Sequence, residues 1–196
     1  MADDNGKVAL DRELRLNQLY LAIIARYKDY IEEKEHISVA ELTTLVTPKD
    51  ESVLAKANDI RGSFGAYSYV EHFYEASLKA YAFVRDEIED VQMPLEFWLT
   101  PNETMKFGVG DTVDKNTLFC SLLIALGNPS TKVFVYVRGA SRSIKTVFEL
   151  NGLFYVTEFG STTKRMASRD EFIGALTVDD DTIAYEFNDQ SFVDVS

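Results

Sequence analysis

The stretch that decides the reading is Gly108-Val109-Gly110-Asp111-Thr112-Val113-Asp114-Lys115-Asn116-Thr117-Leu118-Phe119-Cys120-Ser121-Leu122-Leu123-Ile124-Ala125-Leu126-Gly127. Its apolar residues recur at helical spacing up to a glycine stop, so a helix begins near Thr112, with Asp111 and Thr112 at its N-terminus. A helix start carries unpaired backbone N–H groups and partial positive charge. It stabilises an anion and would lower the pKa of a thiol placed there. The side chain available at this position is the hydroxyl of Thr112.

Upstream of this helix the periodicity is helical almost throughout. Val8 to His36 sets Leu10, Leu14, Leu19, Ile23, Tyr27 and Ile31 mostly three or four apart among charges, which predicts one long amphipathic helix. Ser38-Val39-Ala40-Glu41 has capping-box spacing ahead of Leu42 and Leu45. Thr47-Pro48 reads as the cap of a further helix, with Val53, Leu54, Ala57 and Ile60 as its apolar stripe. Ser68 to about Val91 predicts another helix, and Thr100-Pro101-Asn102-Glu103 a short capped one, with Asp90 to Leu99 as connector.

After Gly127 the pattern alternates. Val133, Val135 and Val137 interleave with Phe134, Tyr136 and Arg138, and Ile144–Leu150 joins Leu153–Phe159 through Asn151-Gly152, a strong hairpin signal. Ser168 to Leu176 reads as a short capped helix and Thr182 to Phe187 as a further strand. Helices followed by an antiparallel sheet make an α+β fold, divided here into a helical extension over 1–46 and a main domain over 47–196.

Composition limits the function classes. The chain has 196 residues, 46% hydrophobic and 27% charged, enough for one packed domain. One cysteine and two histidines exclude an internal disulfide and a Cys/His zinc cage, so no metal or cofactor is expected. No apolar run is long enough to span a bilayer and the start lacks a signal-peptide pattern, so a cytoplasmic location is expected and a membrane role is not. A net charge of −12 disfavours nucleic acid. Against that background, residues 131–169 carry seven basic side chains and two acidic ones.

The order of these pieces resembles the transglutaminase-like superfamily, a branch of the papain-like cysteine-protease fold, over roughly Thr47 to Phe159. Tyr81-Ala82-Phe83-Val84-Arg85-Asp86-Glu87-Ile88 echoes the family's Tyr-x-x-Val-x-x-x-Ile helix, and Pro101-Asn102-Glu103-Thr104-Met105 its Pro-x-Glu-Thr entry. Gly110-Asp111-Thr112-Val113-Asp114 matches its Gly-Asp-Cys-x-Asp start, and Leu122 to Gly127 its helix end. The resemblance implies a central helix packed on an antiparallel sheet. It also implies a cysteine nucleophile, a histidine base on one strand and an orienting acid on the next.

Here Thr112 stands at the cysteine position, Lys145 falls near the histidine position and Glu158 near the acid. His36 and His72 both precede the central helix. Cys120 lies two turns into that helix among apolar residues and reads as a buried core residue. The expectation is a catalytically inactive domain that binds or scaffolds. Thr112, Arg142 and Lys145 are expected to converge on an anionic ligand or acidic peptide, and the long N-terminal helix to offer a homodimer surface. The alternative is a weak amide or ester hydrolase or transferase using Thr112, for which Lys145 would have to act as base. Lys145 paired internally with Glu158 is the plainer reading of those two residues.

Overall fold

The computed structural model describes residues 2–34, 41–92, 97–161, 163–176 and 181–195. Residues 38–40 of the expected Ser38–Glu41 capping box lie outside them. The chain divides into two units, residues 1–36 with 93–97, and residues 37–92 with 98–196.

The first unit contains α1 (Ala2–Lys34), a single long helix as the periodicity from Val8 predicts, beginning six residues earlier than expected. Among the described residues no helix is long and apolar enough to cross a membrane.

In the second unit a 3₁₀ turn (Leu42–Leu45) leads to α2 (Glu51–Gly62) and α3 (Tyr69–Glu87). The expected Thr47-Pro48 cap is not used. Asp50 is the N-cap, its carboxylate accepting from Ser52 N–H at 2.9 Å, while Thr47 N–H is engaged by Ser121 Oγ at 3.0 Å. Leu54, expected in the buried stripe, is 38% exposed. β1 (Glu89–Asp90) then pairs in parallel with β2 (Val109–Gly110), so the predicted connector begins as a strand. Between them α4 (Pro101–Phe107) has the predicted capping box, Thr100 with Glu103, and ends on Gly108 in the left-handed region.

α5 (Thr112–Ala125) is the axis of the unit, and every residue from Val113 to Leu123 is buried. A helix buried along its whole length must partner every polar side chain it carries, here Asp114, Lys115, Asn116, Thr117 and Ser121. Its polar residues are satisfied locally. Ser121 Oγ donates to Thr117 O, Thr117 Oγ1 to Asp114 O, and Asn116 Oδ1 accepts from Thr146 Oγ1 at 2.9 Å.

The sheet contains β3 (Lys132–Arg138), β4 (Ser141–Leu150), β5 (Leu153–Thr157), β6 (Lys164–Met166), β7 (Thr182–Phe187) and β8 (Phe192–Asp194) in the order β6-β5-β4-β3-β7-β8, all antiparallel. The β4–β5 turn is Asn151-Gly152, with φ of 52° and 75°, the positive values that a two-residue hairpin turn requires. One face of the sheet packs on α5 through Val133, Val135, Ile144 and Phe148. The other carries Phe134, Val147, Phe154 and Val156 against Phe172 of α6 (Arg169–Gly174). The fold is therefore α+β, with a central helix packed on an antiparallel sheet and a separate N-terminal helix.

Candidate functional site

The start of α5 is built by two carboxylates. Asp111 Oδ1 accepts from Val113 N–H at 2.7 Å and Asp114 N–H at 3.0 Å, and Asp114 Oδ2 accepts from Asp111 N–H at 2.9 Å. Asp114 Oδ1 takes Leu99 N–H at 2.8 Å. Asp114 is fully buried, and this burial, reinforced by the charge of Asp111, pushes its carboxyl up to about 7. The free N–H groups of the helix start are thus largely taken by the chain's own carboxylates.

A hollow of about 260 Å³ opens beside this start, lined by Asp90, Val91, Gln92, Asp111, Thr112, Val113, Arg142 and Ile144. β1 supplies Asp90, the segment after it Val91 and Gln92, and β4 supplies Arg142 and Ile144. Thr112 is exposed, with no hydrogen bond of its hydroxyl to the described residues. Arg142, the one cation of the lining, lies over the Trp98 ring at 5.9 Å from its centroid. Beneath the rim the buried Lys115 ammonium is 3.9 Å from the exposed Asp90 carboxylate.

The pleat decides which of the expected residues meet. Successive strand side chains point to opposite faces. Ile144 and Thr146 face α5, Ile144 packing in the same cluster as Val113 and Cys120. Lys145 is therefore on the other face, opposite Phe134. Its ammonium donates to Ser143 Oγ at 2.5 Å and lies 3.7 Å from Glu158, which also accepts from Ser143 at 3.3 Å. The structure brings Thr112 and Arg142 to one hollow and Lys145 to Glu158 elsewhere. The strand residue that lines the hollow with Thr112 is Ile144.

Among the described residues, Cys120 and His72 do not line the hollow. Cys120 is fully buried, and burial, with a smaller contribution from Asp189, raises its thiol well above the usual range. His72 lies on α3 with Nδ1 3.0 Å from Ser68 N–H, beside the Phe64 and Tyr67 rings. His36 lies outside the described residues.

Three of the seven basic residues over 131–169 meet a carboxylate within the fold. Lys132 and Arg169 both bind the buried Glu186, and Lys145 binds Glu158. Arg142 was expected here from the family resemblance together with the basic run over 131–169. Trp98, Asp90 and Gln92 were missed because they precede the helix and lie in a stretch with no motif.

No family model matches the chain and no curated protein does. Solved structures that resemble it include forms of one protein. Legionella pneumophila LapG shares 14% identity at a TM-score of 0.49, with 80% of this chain and 87% of that one covered. Calcium-bound LapG from the same organism shares 15% at 0.49 with the same coverage. The EGTA-treated form shares 15% at 0.48, covering 80% and 84%. These likenesses assign the chain neither an activity nor a ligand.

Proposed function

We propose that this chain is a non-catalytic transglutaminase-like domain that binds an acidic peptide segment in the hollow at the start of α5. The observation that carries the reading is the lining itself: Ile144 occupies the strand position beside Thr112, and the lining offers neither a thiol nor an imidazole. The order of family-like motifs from Tyr81 to Gly127 supports the fold assignment. A hydroxyl nucleophile needs a base within hydrogen-bond reach. Lys145, the one candidate on β4, is held by Ser143 and Glu158 on the opposite face.

The ligand class follows from the charges. Arg142 offers a planar fork suited to a carboxylate. Asp90 and Asp111 disfavour a free polyanion and favour a ligand that also presents N–H groups, as a peptide backbone does. The volume of about 260 Å³ falls below the ~300–1,000 Å³ typical of pockets that enclose a whole small molecule. It suits one acidic side chain of a longer segment.

The test is thermal unfolding of the wild type, Arg142→Ala and Lys145→Ala with Glu- and Asp-containing peptides and their neutral amide counterparts. A ligand that binds only the folded state raises the midpoint. The expected result is a rise with acidic peptides in the wild type and Lys145→Ala, and none in Arg142→Ala. A rise that survives Arg142→Ala, or no rise with any peptide, overturns the reading.

A further inference from the structure

α1 exposes an apolar stripe that the site above does not use. Leu16, Leu19, Tyr20, Ile23, Tyr27 and Tyr30 are 36%, 53%, 54%, 45%, 53% and 62% exposed. At 3.6 residues per turn they fall within roughly 100° of the helix circumference. No charged residue between positions 14 and 33 shares that arc. A single helix gains most of its stability by packing such a face against a partner. The charges flanking the stripe, from Glu13 to Glu33, are four acidic and three basic. That is unlike the Lys/Arg-rich polar face of a membrane-surface helix.

We infer that α1 pairs with α1 of a second copy, antiparallel, to form a homodimer. The stripe follows a heptad with Glu13, Tyr20 and Tyr27 at one core position and Leu16, Ile23 and Tyr30 at the other. In a parallel pair each core residue meets its own copy, which puts Glu13 beside Glu13 and stacks three tyrosine layers. In an antiparallel pair Tyr20 meets Ile23 and Tyr27 meets Leu16, large against smaller. Glu13 then meets Tyr30 and no like charge. The stripe is thus complementary to itself in one orientation. Six half-exposed side chains on each of two helices, three of them tyrosines, amount to an interface of order 1,000 Å² in total, about the size at which specific association begins.

The experiment is mass in solution by light scattering on the full chain, over about a hundredfold range of concentration because a dimer depends on it. Wild type is expected at twice 22.2 kDa, and Ile23→Asp and Tyr27→Asp at 22.2 kDa. Leu14→Asp and Leu21→Asp alter side chains 54% and 55% exposed that lie off the arc, and both are expected to stay dimeric. Circular dichroism on each variant shows that the helix and the sheet persist. Orientation is read by mixing Leu16→Cys chains with Tyr27→Cys chains under oxidation. A disulfide-linked dimer is expected only in the mixture. A wild type that is monomeric throughout, a dimer indifferent to Ile23→Asp, or a link formed by either cysteine variant alone overturns the proposal.

Discussion

Asp111 and Asp114 cap the same helix reciprocally, each carboxylate accepting the other's backbone N–H, and only Asp114 is completely buried. Asp114 therefore takes up a proton as pH falls below about 7, whereas in the unfolded chain it does so near the ordinary 3.8. Between those values the folded state binds the extra proton. Stability contributed by this group should thus be greatest below about pH 4, fall as pH rises from 4 to 7, and level off above 7. Unfolding midpoints against pH for wild type and Asp114→Asn check this. The variant should lose that slope, while the lost acceptor costs it about 1–3 kcal/mol at low pH. A slope unchanged in Asp114→Asn would assign it to another group.

Gly110 lies against this cap. A Cβ built there would meet Asp114 Cβ at 2.9 Å and Thr104 Cγ2 at 3.2 Å, neither of them the free end of a flexible chain. Gly110→Ala should destabilise by about 1–3 kcal/mol, as overpacking does, and lower the midpoint by roughly 2–4 °C per kcal/mol. The requirement for glycine here is steric, since Gly110 has no positive φ. Gly108, at φ 67°, with the nearest atom to an added Cβ at 3.8 Å, is the contrasting case in which backbone conformation alone demands it.

Two ion-paired clusters at the sheet should differ in worth. Glu186 is 3% exposed and receives Lys132 at 2.5 Å and Arg169 at 3.2 Å. Removing it leaves two cations without their partner, and Glu186→Ala should cost about 1–3 kcal/mol. Lys145 and Glu158 are 21% and 39% exposed at 3.7 Å, so Lys145→Ala and Glu158→Ala should each cost under about 1 kcal/mol. Denaturant unfolding of the three variants ranks them. Equal losses would mean that the Lys145 pair is structurally as important as the buried one.

How much of this was legible follows from the range of each signal. The start of α5 was readable because its cap is local: Asp111 and Asp114 are three residues apart and a glycine closes the helix. The Asn151-Gly152 hairpin was readable for the same reason. Lys145 was placed near Thr112 because a motif alignment tolerates an error of one residue. A strand does not, since a slip of one moves the side chain to the other face. The Pro48 cap failed because Asp50, three residues further on, caps the helix with its own carboxylate on Ser52 N–H. The short strands β1, β2, β6 and β8 have two or three residues each, too few for a period to show.

Thr112 stands where its hydroxyl is exposed at a helix start, and that location invites assignment as a nucleophile. Three features oppose it. The adjacent carboxylate of Asp111 already accepts two of the helix N–H groups that would stabilise an oxyanion. The β4 residue lining the same hollow is Ile144, which accepts no proton. Lys145 lies on the far face of the strand, held by Ser143 and Glu158. Wild type and Thr112→Ala should therefore hydrolyse activated ester and amide reporters at the same background rate. A wild-type rate well above background that Thr112→Ala abolishes would restore the hydrolase reading and require a base that reaches Thr112 from outside β4.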